Sequence, residues 1–139
     1  MKMNDKSLAY ALFRIAFGIN FAGHGLIRIY NGVGSFAQST AEHLARSPLP
    51  HGLSFSFSYA IPYIEAILGL TLLLGVFTRV SLACGAVFMM ALTAGVAANQ
   101  QWDIASQQLL YSLVFFLLLY LIKHNAFSVD SHIRSSSIQ

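Results

Sequence analysis

Four apolar stretches, each close to the length of a bilayer crossing, constrain this chain more than any other feature. They run from about Leu8 to Ile29, Phe55 to Val76, Val80 to Ala98 and Gln108 to Ile122. A helix needs ~20 residues to cross ~30 Å of hydrocarbon. The fourth stretch is the shortest, and Gln107 and Gln108 extend it as a polar-ended helix. Only 9% of the 139 residues are charged and 56% are hydrophobic, whereas soluble domains carry about 25% charged residues. Too few charges remain to coat a water-exposed surface. The expected fold is all-α: a polytopic membrane protein built as an antiparallel bundle of four transmembrane helices. Residues 1–124 form that domain, with spans at about 8–29, 55–76, 80–98 and 107–122, and residues 31–54 form an outer loop. Residues 125–139 read as a polar cytoplasmic tail.

Breakers fall where turns are needed. Asn31, Gly32 and Gly34 follow the first stretch, and the link Phe77-Thr78-Arg79 is short enough to make the second and third spans antiparallel neighbours. Lys2 and Lys6 resemble the start of a signal peptide, but Arg14 interrupts the apolar run and no A-x-A site follows, so the first helix is expected to be retained. Four spans put Lys2, Lys6, Arg79, Lys123 and Arg134 on one side, with Arg28 and Arg46 on the other. The excess of Lys and Arg on one side predicts that both termini are cytoplasmic. The net charge of +3 is scattered rather than striped, so nucleic acid is not an expected partner. Cys84 stands alone, and His43, His51 and Glu42 lack metal-ligand spacing, so neither a disulfide nor a zinc site is expected.

An ionisable side chain inside a membrane helix costs roughly 2.5–3.5 kcal/mol on insertion scales, so each one calls for a partner or a task. At ~100° per residue, Arg14, Phe17, Phe21, His24, Gly25 and Arg28 share one face of the first helix. Glu65 lies well inside the second span, after Pro62, at a depth comparable with His24. Asn99, Gln108 and Tyr111 sit toward the same outer end on the third and fourth spans. Polar groups from four helices therefore converge on one end of the bundle. The plain alternative is structural: Arg28 as a snorkelling anchor, Glu65 ion-paired with Arg14, Arg28 or His24, and the phenylalanines and methionines as packing.

Together these elements resemble the DoxX-like family of small four-helix bacterial membrane proteins, which includes a subunit of thiosulfate:quinone oxidoreductase. The resemblance rests on "LFRIAFGINFAGHGLIRI", the Leu49-Pro50 pair, "YIEAILGLTLLLGVFTRV" and "AVFMMALTAG". It is carried by Arg14, His24-Gly25, Glu65, Gly69, Gly75 and Thr78-Arg79, and covers nearly all of the chain up to Ile122. Arg28 stands where the family often has lysine, which keeps the charge but changes the hydrogen-bonding geometry.

The leading expectation is a quinone-interacting or redox-linked subunit of a membrane oxidoreductase system. His24 would hydrogen-bond a ring oxygen, Glu65 would orient the imidazole or relay a proton, and Arg28 would stabilise negative charge. No cofactor is expected to be covalently bound, so electrons would come from a soluble or membrane redox partner protein. The alternative from another class is a non-catalytic anchor or assembly subunit that docks a partner enzyme through residues 31–54. A transporter is a third reading, although the chain lacks inverted repeats and would need to form a homo-oligomer.

Overall fold

The computed structural model describes residues 4–44 and 50–136. Lys2, Arg46 and Leu49, used above for topology and resemblance, lie outside the described residues, as does the Arg134 side chain. The fold is all-α and polytopic. Helix α1 spans Asp5–Asn31, α2 Val33–His43, α3 His51–Leu74, α4 Thr78–Ala98 and α5 Trp102–Tyr120. A 3-10 turn, Ile122–His124, and a short helix α6, Val129–Ser136, follow. Helices α3, α4 and α5 are long and apolar enough to cross a membrane. Helix α1 has 27 residues, a rise of ~40 Å, but Arg14, Asn20, His24 and Arg28 make it less apolar.

Three boundaries differ from those read in the sequence, each for a local reason. Residues 31–54 contain α2 and the first turn of α3 rather than a continuous loop. Gly32 does break α1, with φ of 104°, but Gly34 sits inside the next helix. Val33, Ala37 and Ala41 recur every fourth residue and bury one face of α2. Helix α5 begins at Trp102 instead of Gln107, with Asp103 in its first turn, where the helix dipole favours a carboxylate. The polar tail holds α6, started by a reciprocal Ser128/Ser131 cap: Ser131 N–H donates to Ser128 Oγ (3.2 Å) and Ser128 N–H to Ser131 Oγ (3.4 Å).

The long helices associate as two pairs, α1 with α3 and α4 with α5, and α2 lies against α3. Small residues set the first pairing. A Cβ at Gly25 would stand 2.4 Å from the Ala66 nitrogen, and one at Gly69 2.1 Å from the Ala22 nitrogen. Neither position accepts a side chain, and the two backbones approach to contact, as small residues allow in membranes. The pairs meet at an aromatic cluster. Phe115 packs edge-on against Phe17 and Phe21, with ring centroids at 4.8 and 5.2 Å, and Tyr111 lies against both phenylalanines. Further toward the termini, the Tyr10 hydroxyl donates to the Leu118 carbonyl at 3.1 Å.

At the end of the bundle that carries both termini, Arg14 is 1% exposed. Its guanidinium donates to the Leu72 carbonyl, to that of Leu73 at 3.2 Å and to that of Phe127 at 2.7 Å. It thus closes the open C-terminus of α3 and holds the segment before α6, instead of meeting a carboxylate as the ion-pair reading of Arg14 required. Asp130 completes the clasp. Its carboxylate accepts from Phe77 N–H (2.8 Å) and Thr78 N–H (2.7 Å), and its own N–H donates to the Gly75 carbonyl (3.0 Å). Phe77, the residue before α4, offers no side-chain cap, so Asp130 caps α4 from 52 residues away. Burial alone would raise the Asp130 carboxyl, but the bonds from Thr78 and Phe77 and the nearby Arg14 charge outweigh it and hold it below the usual value of 3.8.

Candidate functional site

Beyond the aromatic cluster the two helix pairs part, and the space between them is a cavity of about 770 Å³ at the end remote from the termini. Phe21 and Tyr111 form its floor. Ile61, Met89, Leu92, Gly95 and Ile104 contribute to its apolar wall, and Phe36, Thr40, His43 and Leu44 bring α2 to its mouth. A volume of this size suits a drug-sized organic molecule.

One charged pair faces this space. Glu65 is 8% exposed, on the part of α3 that Gly25 and Gly69 bring against α1. Arg28 Nη1 donates to Glu65 Oε2 in an ion pair. The same guanidinium lies 4.6 Å from the centroid of the Phe36 ring, a cation–π contact that fixes its plane. His24, one turn earlier on α1, is exposed and lines the cavity beside this pair. Gln108 and Tyr111 line the opposite wall from α5. Two buried acceptors in the wall, Gln108 Oε1 and Ser54 Oγ, have no hydrogen-bond partner among the described residues. Such orphaned groups cost ~1–3 kcal/mol each unless a ligand or water meets them.

The structure therefore brings His24, Arg28, Glu65, Gln108 and Tyr111 to one cavity. Asn99 is set apart: its Nδ2 donates to the His43 carbonyl at 2.9 Å, tying the end of α4 to the end of α2. Arg14 lies at the other end of the bundle. The residues that sequence reading missed are Phe36, Thr40 and His43. The four-residue periodicity of α2 was available as a signal, but Gly32 and Gly34 masked it as a loop. Gln101 and Gln107 also line the cavity.

Comparison with known protein families places most of the chain. Residues 6–107 fit the family model described as methylamine utilisation protein MauE, a DoxX-related group of small membrane proteins. No curated protein and no solved structure matches the chain. The fitted region takes in His24, Arg28 and Glu65 and stops one residue short of Gln108. With more than half of its length so matched, the chain belongs to the MauE family of membrane proteins.

Proposed function

We propose that this protein is a redox-linked membrane component of methylamine utilisation that binds a quinone-type molecule in the cavity between its helix pairs. The observation that carries this reading is the combination of a large apolar cavity with the Arg28–Glu65 pair and His24 on its wall. A lipid-soluble ring with polar oxygens needs that combination: apolar walls for the ring and tail, and a few fixed polar groups for the oxygens. When bound, a quinone accepts two electrons and two protons to become a quinol. His24 and Arg28 supply hydrogen-bond donors for a ring carbonyl, and Gln108 Oε1 supplies an acceptor for a hydroxyl. Glu65 neutralises Arg28 in the ground state and holds a proton site beside it. In this reading the electrons come from a partner protein. The membrane is the bacterial inner membrane, with the termini cytoplasmic and the cavity in the outer leaflet.

A spectroscopic titration of purified protein with a short-chain quinone tests this. His24→Ala and Glu65→Gln should each weaken binding by about 5- to 30-fold, the equivalent of ~1–2 kcal/mol for a buried polar contact. Unchanged affinity in both variants removes the site. A second reading, a non-catalytic assembly subunit, draws on α2. Its outer face carries an exposed Gln38–Glu42 hydrogen bond at 2.7 Å, a polar surface at the cavity end. That reading is tested by co-purification: charge reversal at Glu42 would release a docked partner while leaving quinone affinity intact.

A further inference from the structure

The carboxamide of Asn20 stands near the midpoint of α1 and points away from the bundle. It is exposed and has no hydrogen-bond partner among the described residues. Within hydrocarbon an unmet amide costs several kcal/mol, and no water is at hand to meet it. The surrounding face carries a shallow, open hollow. Ile19, Asn20, Gly23, His24, Ile27 and Arg28 border a groove of about 360 Å³. A Cβ at Gly23 would meet nothing within 4 Å, so the groove opens at that residue. Along the same face, Phe13, Ala16, Asn20, Gly23, Ile27 and Tyr30 recur at alternating spacings of three and four. All are exposed except Gly23, which is partly so. A spacing of ~3.5 residues keeps one seam of a helix against a parallel partner over its whole length.

We infer that α1 is the contact surface of a homodimer in the membrane, with Asn20 paired to Asn20 of a second copy. The occupant follows from the chemistry of the amide. A carboxamide carries both donor and acceptor, so two of them satisfy each other across a two-fold axis. Two copies inserted with the same topology carry α1 at the same depth and parallel, which sets the two Asn20 side chains opposite one another. The Gly23 notch then receives Ile27 of the facing helix as a knob in a hole. Interhelical side-chain hydrogen bonds of this kind set register in membrane helix pairs. The dimer leaves the quinone cavity on the other side of α1 open, with His24 at the boundary between the two. The inference does not depend on what the cavity binds.

Cysteine cross-linking in native membranes tests it, in a Cys84→Ser background that removes the one native thiol. Gly23→Cys and Ala16→Cys should each give a band of twice the chain's mass on mild oxidation. Val87→Cys, equally lipid-exposed on α4, should not. In detergent, Asn20→Leu should weaken self-association by about 3- to 30-fold, the range for interhelical side-chain bonds of ~0.6–2 kcal/mol. Asn20→Gln, which keeps the amide, should largely restore it. Absence of a homodimer band, a band only at the mass of a different protein, or equal cross-linking at Val87 overturns the inference. So does a dimer whose affinity is indifferent to Asn20→Leu, because the pairing would then not be through the amide.

Discussion

Replacing Asp130 with alanine should loosen the start of α4 without unfolding the bundle, and the size of the effect can be worked from the structure. The Asp130 carboxylate accepts from the Phe77 and Thr78 amides at 2.8 and 2.7 Å, at a helix end that has no cap of its own. Loss of an N-cap to alanine costs ~0.5–2 kcal/mol. If the two amides exchange with solvent by local opening, that cost becomes a rate increase of about 2- to 30-fold. The Asp130 N–H still donates to the Gly75 carbonyl, and Arg14 still holds the Phe127 carbonyl. The effect should therefore stop at the cap. Hydrogen exchange followed by mass spectrometry, on a peptide that spans Gly75 to Leu82, reads the change directly. Exchange indistinguishable from the parent protein would refute the cross-chain cap. Acceleration that spreads through α4 and α5 would refute its local character.

Three other outcomes follow from the same coordinates. Glu65→Leu alone should destabilise the protein by ~1.5–3 kcal/mol, because it removes the charged partner of the partly buried Arg28, while Glu65→Leu with Arg28→Leu should recover much of the folded yield in detergent; a double variant as poor as the sum of the singles would show that the pair is not coupled. Gly69→Val should abolish folded protein, since its Cβ would meet the Ala22 backbone at 2.1 Å, whereas Gly52→Ala, with nothing within 4 Å, should be tolerated; comparable yields of the two would contradict the close α1–α3 crossing. Because the Asp130 carboxyl is held below 3.8 in the fold, its contribution is complete above that value and is lost as pH falls through its lowered native value; thermal midpoints measured in acid should drop more steeply for the parent protein than for Asp130→Asn, and parallel curves would remove the assignment.

The fold was legible where periodicity and solvent leave little choice. A chain with four long apolar runs and few charges must satisfy its backbone internally, and helices are the economical way to do so. The meeting of Arg28 with Glu65 was legible for a related reason: two charges at one depth on adjacent spans cost least together. What the sequence concealed lay at helix ends. Helix α2 hid behind two glycines, of which only Gly32 acts as a breaker. Arg14 reads as a membrane charge in search of a carboxylate, yet backbone carbonyls at the end of α3 serve it, and carbonyls leave no mark in a sequence. The role of Asp130 is likewise non-local, since the capped amides lie 52 and 53 residues earlier. The exposed face of Asn20 depends on which side of α1 meets α3, which only the packed pair reveals.

The most direct test of the cavity's role is to identify what it holds in the native membrane. The protein should be extracted without detergent, in polymer-bounded discs, and its bound lipids weighed by native mass spectrometry. The cavity-filling variant Gly95→Phe serves as the comparison, because the wall there leaves room: the nearest atom to a Cβ is Leu44 Cδ2 at 3.9 Å. The prediction is an isoprenoid quinone retained at close to one per chain by the parent protein and lost from Gly95→Phe, with the fold of both intact. Phospholipid alone in the parent, or quinone retained equally by the filled variant, would contradict the assignment of the cavity as a quinone site.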